Sequence, residues 1–353
     1  MSEQVIDATM LGACPVPLTR HDRIVLGHGS GGKLSAELIE TMFLPAFRNE
    51  YLDRLDDQAV FDVNGSRLAF TTDSFVVTPI FFPGGDIGRL AVNGTVNDLA
   101  MSGARPLYLS VAFILEEGLL MEELQRIVDS MRAAAAEARV LLVTGDTKVV
   151  NRGKGDKIFI NTAGVGLIER PVTISASGAK AGDKIIVSGY IGDHGMAILS
   201  QRENLTFESD IESDTAPLYD LVEGMLEIGG IHCLRDPTRG GVATTLNEIA
   251  QRSKVGIEID EAAVPVRESV RGACEILGLD PLYVANEGKL VAIVDPVKAD
   301  AVVAKMRTMK HGADARVIGT VVASPLTLVL LKTDIGGTRV VDLLWNEQLP
   351  RIC

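Results

Sequence analysis

The sequence predicts a mixed α/β protein of two domains, and its length, its composition and the order of its apolar segments support that prediction. With 353 residues, the chain is long enough for about two domains of roughly 100–200 residues each. Hydrophobic residues make up 46% of the chain and charged residues 23%, which provides for a sizeable core and argues against disorder. Strand-like and helix-like segments follow each other along most of the chain, as in α/β folds.

The spacing of apolar residues divides the chain into an arm over 1–20, a first domain over 21–170, a second domain over 171–334 and a mobile tail over 335–353. In the first domain, strands are predicted over 67–73, 107–115, 140–146 and 158–166, and helices over 34–42, 87–101 and 121–138. The last of these helices places its apolar residues on one face, namely Leu124, Ile127, Val128, Met131 and Ala135.

The second domain follows a linker over 169–183 that is rich in Gly, Ser and Ala. It is predicted to contain a strand over 184–189, helices over 195–200 and 219–228, a helix opened by 236–241, and a strand–turn–strand unit over 317–331. The apolar stretch over 317–331 is broken by Gly319 and Pro325, and no run of 18 apolar residues predicts a membrane span.

Charge and cysteine content exclude several classes of function. The net charge of −13 disfavours binding to nucleic acid and to anionic membranes. No secretory signal is evident, so a cytoplasmic location is expected. The four cysteines, Cys14, Cys233, Cys274 and Cys353, have no metal-ligand spacing. Cys233 and Cys274 are expected in the core.

Several carboxylates lie where predicted strands end. Asp73 ends one strand, Asp146 ends another, and Asp56 and Asp57 precede a third. The helix over 87–101 adds Asn93, Asn97 and Asp98. Oxygen ligands delivered from strand ends and a helix suit Mg²⁺, which commonly binds a few carboxylates together with substrate phosphates. The alternative for each Asp is an ordinary turn or cap residue.

Two glycine-rich segments precede helices and suggest sites for an anion. "HGSGGK" (His28–Lys33) lets backbone N–H groups approach phosphate, with Lys33 adding charge, and "DPTRGG" (Asp236–Gly241) provides Arg239. Both also fit ordinary helix starts. Lys148, two residues after Asp146, is a candidate base, whereas Glu287 in "NEGKL" alone would pass as a loop acid.

The last residue of the sequence is Cys353, in "PRIC". A tail of about fifteen residues could extend roughly 50 Å, so this thiol could enter an internal site and then reach another protein. Trp345, with Leu343 and Leu344, could anchor the base of the tail, and Pro350 would stiffen its end. The alternative is a frayed end with an incidental cysteine.

Together, "HGSGGK", "DDQAV", "TTDSFVV", "GTVNDLAMSGARP", "TGDTKVV", "DPTRGG", "NEGKL" and "PRIC" resemble the HypE family. Its members are the carbamoyl dehydratases of [NiFe]-hydrogenase maturation, within the AIR synthase (PurM-like) superfamily. The central motifs are shared across the superfamily and specify ATP and Mg²⁺, whereas "PRIC" selects the family. The resemblance starts near residue 22 and does not extend to residues 1–20.

The resemblance implies a PurM-like two-domain fold, with the N-terminal sheets of two subunits forming a barrel in a homodimer and ATP close to that interface. It implies that HypF carbamoylates Cys353, that the carbamoyl group is dehydrated to a thiocyanate with ATP, and that a HypC–HypD complex accepts the cyanide.

By position, the resemblance also assigns site residues. Cys353, Lys148 and Glu287 would be catalytic. Asp56, Asp57, Asp73, Asp98 and Asp146 would bind metal. The nucleotide would contact His28, Gly29, Gly31, Gly32, Lys33, Asp73, Asn97, Asp98, Asp146, Asp236, Arg239 and Gly240.

Two alternatives remain at this point. The chain could be another ATP-dependent member of the superfamily, such as a selenide or thiamine phosphate kinase, although the selenide enzyme's reactive Cys or Sec is missing from residues 29–32. It could also be a non-catalytic maturation scaffold that docks a partner through its tail.

Overall fold

The computed structural model describes residues 21–203, 211–344 and 352–353. The strands are β1 (Ala59–Val63), β2 (Ser66–Phe75), β3 (Phe81–Phe82), β4 (Gly85–Asp86), β5 (Arg105–Glu116), β6 (Leu141–Val150), β7 (Ile158–Ile168), β8 (Lys184–Val187), β9 (Ile231–Arg235), β10 (Gly256–Asp260), β11 (Val291–Val294), β12 (Arg316–Val322), β13 (Val329–Lys332) and β14 (Thr338–Val341). The helices are α1 (Lys33–Leu38), α2 (Leu44–Phe47), α3 (Ile87–Met101), α4 (Met121–Ala138), α5 (Asp193–Arg202), α6 (Tyr219–Ile228), α7 (Gly241–Ser253), α8 (Glu268–Leu277) and α9 (Ala299–Arg307). The predicted mixed α/β class is confirmed.

The first sheet has the order β1-β2-β7-β5-β6. Strands β5 and β6 are parallel and are connected through α4, whereas the other neighbours are antiparallel. In β7, fully buried residues alternate with partly buried ones, as expected for a sheet with one covered face. Strand β6 forms one edge, and its residues from Leu141 to Val149 are all exposed.

Helix α3 covers the inner face of this sheet and has the predicted bounds. Asp86 precedes the helix as its N-cap, and its carboxylate accepts hydrogen bonds from the N–H groups of Gly88 and Arg89 at 2.7 and 3.1 Å. Gly88 permits close packing on α4, because a Cβ atom at that position would lie 2.6 Å from the Ile127 carbonyl oxygen. The burial of almost every α3 side chain makes the helix a rigid support for the polar residues on it.

Helix α4 also has the predicted bounds, but one residue of its predicted apolar face is misplaced. Ile127, Met131 and Ala135 are buried as expected, whereas Val128 is 42% exposed. Ala134 is buried in addition. A helix that packs mainly on α3 buries a narrow stripe, and Val128 lies at the margin of that stripe.

The second sheet has the order β14-β13-β10-β12-β8-β11-β9. Both of its faces are covered. Ile185 and Val187 pack with α7, and Ile186 packs on the opposite face with α6 and α9. Strand β11 is fully buried over its whole length, and Cys233 on β9 lies in this core as predicted.

A further core joins α3 and α4 to α5 and α8, and it includes Cys274 as predicted. Ile352, next to the last residue, is buried in the same core. The predicted tail starts too early, since residues 338–341 form β14 and pair with β13. Trp345 and Pro350, the proposed anchor and stiffener, lie outside the described residues, as does the arm over 1–20 with Cys14.

In the described part of the chain, no helix has the length and apolar character needed to cross a membrane.

Candidate active site

A polar cavity of about 390 Å³ lies where the two glycine-rich loops meet the end of β2, helix α3 and the start of α7. A larger cavity of about 640 Å³ adjoins it, and both are lined by Gly31, Ser35, Ile39, Asp57, Thr72, Arg235 and Glu248. Volumes of this size are typical of small-molecule sites. The smaller cavity is lined by His28, Gly29, Gly31, Ser35, Leu38, Ile39, Phe43, Asp57, Thr72, Asp73, Gly94, Asp98, Arg235, Asp236, Thr238, Arg239, Thr244, Thr245, Glu248, Glu287 and Cys353.

Cys353 reaches this cavity because the end of the chain is docked. The N–H of Val76 donates to the Cys353 oxygen at 3.0 Å. The Nε2 of His194 lies 2.7 Å from the Ile352 carbonyl oxygen, and the Ile352 side chain is 4% exposed. Cys353 itself is half-buried. The thiol-bearing residue therefore lies among residues that the sequence assigned to nucleotide and metal.

Arg239 connects the two glycine-rich loops to the docked cysteine. Its Nη1 donates to the Gly29 carbonyl oxygen at 2.9 Å. The negative charge at Cys353 and the acids Asp73 and Glu287 raise the pKa of Arg239 above its ordinary value. Because this guanidinium stays charged, it provides a fixed positive charge in a cavity rich in acidic residues.

Five carboxyl groups line the cavity, and loss of hydration is the largest cause of the raised pKa of each one: Asp57, Asp73, Asp98, Asp236 and Glu287. Asp236 and Glu287 are buried, and the other three are partly buried. Repulsion among them adds to the effect of burial for Asp57, Asp98, Asp236 and Glu287. The pKa reaches about 8 for Asp57 and about 6 for Asp236. Crowded, desolvated carboxylates of this kind are stabilised in their charged form by a cation.

The donor set fits a cation held partly by a ligand. Among the residues that the structure describes, no three His, Cys, Asp or Glu side chains form a complete metal cage. Mg²⁺ commonly needs only one or two carboxylates besides phosphate and water. Glu287 Oε1 is buried without a hydrogen-bond partner, so a polar atom in the cavity has unused bonding capacity.

Arg235 holds Asp57 and was not predicted. Its Nε lies 2.7 Å from Asp57 Oδ2, and its Nη2 lies 2.7 Å from Glu248 Oε2. The contact with Asp57 has the distance of an ion pair but not the angle of a hydrogen bond, since Asp57 Oδ2 has no hydrogen-bond partner. In the sequence, Arg235 lies directly before the glycine-rich segment that starts at Asp236, and this position was the one indication that Arg235 belongs to the site.

Three residues predicted to contact the nucleotide do not line the smaller cavity but stabilise the loops around it: Lys33, Gly32 and Gly240. Lys33 Nζ is 2.6 Å from Asp342 Oδ2. Gly32 packs on Leu344, whose carbonyl oxygen would be 2.5 Å from an added Cβ. Gly240 has φ +74° and leaves room for Thr244 Oγ1 at the start of α7, a conformation that favours glycine.

Asn97 and Asp56 also lie outside the smaller cavity. The Asn97 amide donates to the carbonyl oxygens of Ala216 and Glu287 at 3.0 and 3.2 Å, so it orients the backbone of the loop that contains Glu287. Asp56 accepts hydrogen bonds from Ser175 Oγ and Ala176 N and lines the neighbouring, larger cavity.

Asp146 and Lys148 lie on β6, not in the cavity. Their side chains are 64% and 70% exposed and form an ion pair at 2.7 Å. The hydrogen bond from Lys148 lowers the pKa of Asp146. Both residues project from the same face of the edge strand, since side chains two apart share a face.

Comparison with known proteins places the chain in a family. The model for AIR synthase related protein, N-terminal domain, matches residues 55–168, and that for the C-terminal domain matches residues 180–330. The carbamoyl dehydratase HypE of Bradyrhizobium diazoefficiens is 56% identical over 95% of this chain and 97% of its own length.

Two solved structures are similar over most of the chain. The HypE–HypF complex matches with a TM-score of 0.83 and 51% identity over 87% of this chain and 99% of that one. A HypE in complex with ATP matches with a TM-score of 0.79 and 54% identity over 94% and 100%. The chain therefore belongs to the HypE family of carbamoyl dehydratases, within the AIR synthase related proteins.

Proposed function

We propose that this protein uses ATP to dehydrate an S-carbamoyl group on Cys353 to a thiocyanate, which supplies cyanide for the metal centre of a [NiFe]-hydrogenase. The observation that supports this most directly is the docking of Cys353 in a cavity built from both glycine-rich loops and the buried acids. A relative at 54% identity has been solved with ATP. A small-molecule kinase would not require a cysteine at this place.

The proposed reaction proceeds in two steps. In the first, the carbamoyl oxygen attacks the γ-phosphorus of ATP, and the bond from that phosphorus to ADP breaks. One N–H proton leaves, and Cys353 holds a phosphorylated isothiocarbamate. In the second, the remaining N–H proton leaves, the C–O bond breaks with its electron pair on phosphate, and a C≡N bond forms. Phosphate is a much better leaving group than hydroxide, which explains the need for ATP.

Each proton needs a base, and we assign these roles to Glu287 and Lys148. Glu287 lines the cavity with Cys353 and is 3% exposed. Burial raises its pKa, and a carboxyl group with a raised pKa is a more effective base near neutral pH. The backbone N–H of Glu287 donates to Asp214 Oδ1 at 3.0 Å, which fixes the position of this residue.

Phosphate binding is assigned to the two glycine-rich loops and to Arg239, whose guanidinium can form paired hydrogen bonds with phosphate. Asp57, Asp73 and Asp98 are the predicted metal ligands that line the cavity. Bound Mg²⁺ would neutralise phosphate oxygens and orient the γ-phosphate. Omitting Mg²⁺ from an otherwise complete reaction should therefore stop dehydration.

The exposed position of Asp146 and Lys148 supports a shared site in a homodimer. Leu141, Val143 and Val149 on the same strand are 64%, 57% and 67% exposed. Such an apolar edge is typical of a surface that a second copy covers. We propose that two first sheets pair into a barrel and that Asp146 and Lys148 approach the nucleotide bound near that interface.

HypF is the proposed carbamoyl donor, and a HypC–HypD complex is the proposed cyanide acceptor. A complex of a related HypE with HypF has been solved. A cytoplasmic setting suits the reaction, because thiols there remain reduced.

The mass of the intact protein tests the proposal. After incubation with HypF, carbamoyl phosphate and ATP, we expect a gain of about 43 Da when CONH₂ replaces hydrogen, then of about 25 Da when CN replaces it. Cys353→Ser should show no thiocyanate. Cyanide delivery by that variant would refute the function.

Two controls separate the alternatives. Deleting residues 351–353 should abolish the thiocyanate product, whereas an independent small-molecule kinase would keep its activity. ATP hydrolysis that depends on Asp146 would distinguish an enzyme from a docking scaffold.

A further inference from the structure

His194 is a completely buried histidine that contacts the docked end of the chain. It lies at the start of α5 and is 0% exposed. Its Nε2 is 2.7 Å from the carbonyl oxygen of Ile352, and a carbonyl oxygen can only accept, so Nε2 carries the proton. None of the motifs that identify the family includes this residue, and the reaction above assigns it no role.

The other ring nitrogen has a partner that fixes this tautomer. Nδ1 of His194 is 2.8 Å from Ser213 Oγ. With the proton on Nε2, Nδ1 accepts a hydrogen bond and the Ser213 hydroxyl donates it. The backbone N–H of Thr215 donates to the same hydroxyl oxygen at 3.2 Å, which directs the hydroxyl proton towards the ring. Burial lowers the pKa of His194, which favours the neutral form.

Packing holds the ring in place. Phe82 contacts it edge-on, with ring centroids 5.6 Å apart. The next residue, Gly195, donates its N–H to the Ala285 carbonyl oxygen at 3.1 Å. The preceding Asp193 forms an ion pair with Arg267 at 3.1 Å. These contacts fix the imidazole ring, so that its Nε2–H group points at the Ile352 carbonyl oxygen.

We propose that His194 is a positioning residue that holds Ile352 and Cys353 in the cavity, where the S-carbamoyl group on the cysteine is dehydrated. Its contact with Ile352 must be released before the cysteine can leave. The same segment reaches the proposed base. Asp214, which follows Ser213, accepts hydrogen bonds from Glu287 N at 3.0 Å and from Lys289 Nζ at 3.1 Å. Ser213 and Asp214 thus connect His194 to Glu287, the residue that would deprotonate the carbamoyl group on Cys353.

Alkylation of Cys353 by iodoacetamide tests the proposal without reference to any activity. His194→Phe keeps a ring in contact with Phe82 but removes the donor, and His194→Gln keeps an N–H donor at about the reach of Nε2. Peptide mass spectrometry reads each cysteine separately. We expect Cys353 in His194→Phe to react about fivefold faster than in the wild type, the change that corresponds to losing one hydrogen bond. His194→Gln should restore a rate close to the wild type.

Protection of Cys233 and Cys274, which are buried, verifies that each variant is folded. If His194→Phe does not fold, Ser213→Ala replaces it, since loss of the hydroxyl frees the tautomer, and about a twofold increase in alkylation is expected. An unchanged alkylation rate in a folded His194→Phe or Ser213→Ala variant would overturn the proposal. So would a fast rate that His194→Gln does not correct.

A second measurement rests on the proposed function. In folded His194→Phe, HypF should carbamoylate Cys353 faster, whereas the later conversion to thiocyanate should be slower. A merely structural histidine would slow both steps together, and that outcome also contradicts the proposal. The alkylation result stands even if the protein catalyses a different reaction, so failure of one conclusion can be told from failure of the other.

Discussion

The predicted catalytic residues lie in two regions, the cavity around Cys353 and the edge strand β6, and the pKa values of their carboxyl groups are shifted in opposite directions. In the cavity, burial raises the pKa of Asp73, Asp98 and Glu287, and repulsion from neighbouring acids adds to this effect for Asp98 and Glu287. On β6, Lys148 lowers the pKa of the exposed Asp146. The first group is organised within one chain, and the second is displayed on a surface. One protomer therefore builds the docking place for the cysteine but does not bring all the proposed chemistry to it.

The largest effect is expected inside the cavity. Glu287→Gln retains the shape of a residue whose Oε1 has no hydrogen-bond partner, but it removes a base. The conversion of carbamoyl to thiocyanate should slow by about 10²–10⁴-fold, while carbamoylation by HypF should continue. Quenched reactions followed by intact mass would measure both steps. Equal slowing of the two steps would instead indicate a damaged docking site.

Mixing two inactive variants compares the cavity with the edge strand directly. Cys353→Ser lacks the thiol, and Lys148→Ala lacks the proposed base on β6. If the site is shared between subunits, a randomly mixed equimolar sample should recover about a quarter of the wild-type yield of thiocyanate. This follows because half of the dimers are mixed and each has one complete site. No recovery after confirmed subunit exchange would mean that Lys148 acts within its own chain.

A charge on the edge strand should weaken self-association. Val149→Glu places a carboxylate on a residue that is 67% exposed in the protomer. We expect the dimer dissociation constant to rise at least about tenfold, because an apolar contact would be replaced by a buried charge. Val297→Glu, at a residue that is 87% exposed and lies on neither sheet, is the matched control. Sedimentation velocity that finds equal association in both variants would contradict the proposed interface.

The smallest expected effect is a pH dependence of stability in Mg²⁺-free buffer. The pKa of Asp57 is about 8 in the folded protein against an ordinary 3.8, so between these values the folded state holds a proton that the unfolded state has lost. Stability should therefore decrease as pH rises from 6 to 8, and Tm should fall by about 2–4 °C per pH unit. Asp57→Asn should flatten this slope in thermal unfolding. An unchanged slope would show that Asp57 is already ionised at pH 6.

Local patterns predicted several elements of the fold, but not β10 or α9. The spacing of apolar residues predicted the bounds of α3, α4 and α6, because each helix buries a continuous stripe or is buried all round. The prediction for the tail was less accurate. The residues of β14 became part of the second sheet through pairing with β13, and a long-range pairing of this kind has no local signal.

The candidate site was predictable in kind but not in its arrangement. The glycine-rich loops and acids predicted a phosphate and cation site, and many of these residues line one cavity. The ion pair of Arg235 with Asp57 and the contact of His194 with Ile352 join residues that are distant in sequence. The dipeptide Asp193–His194 after Gly192, which has φ +86°, was a weak local signal for the second of these. Which acids meet is decided by the packing of α3 between the two sheets.

The exposed edge of β6 has a consequence for the biogenesis of this protein. The backbone N–H and C=O groups on the side of β6 that faces away from β5, together with its apolar side chains, form a template to which other extended chains can bind. In the proposed homodimer, a newly synthesised protomer would thus be vulnerable to aggregation until a second copy covers that strand. Dilution would lengthen this period, so the proposed need for a second copy would extend from catalysis to the survival of the polypeptide itself.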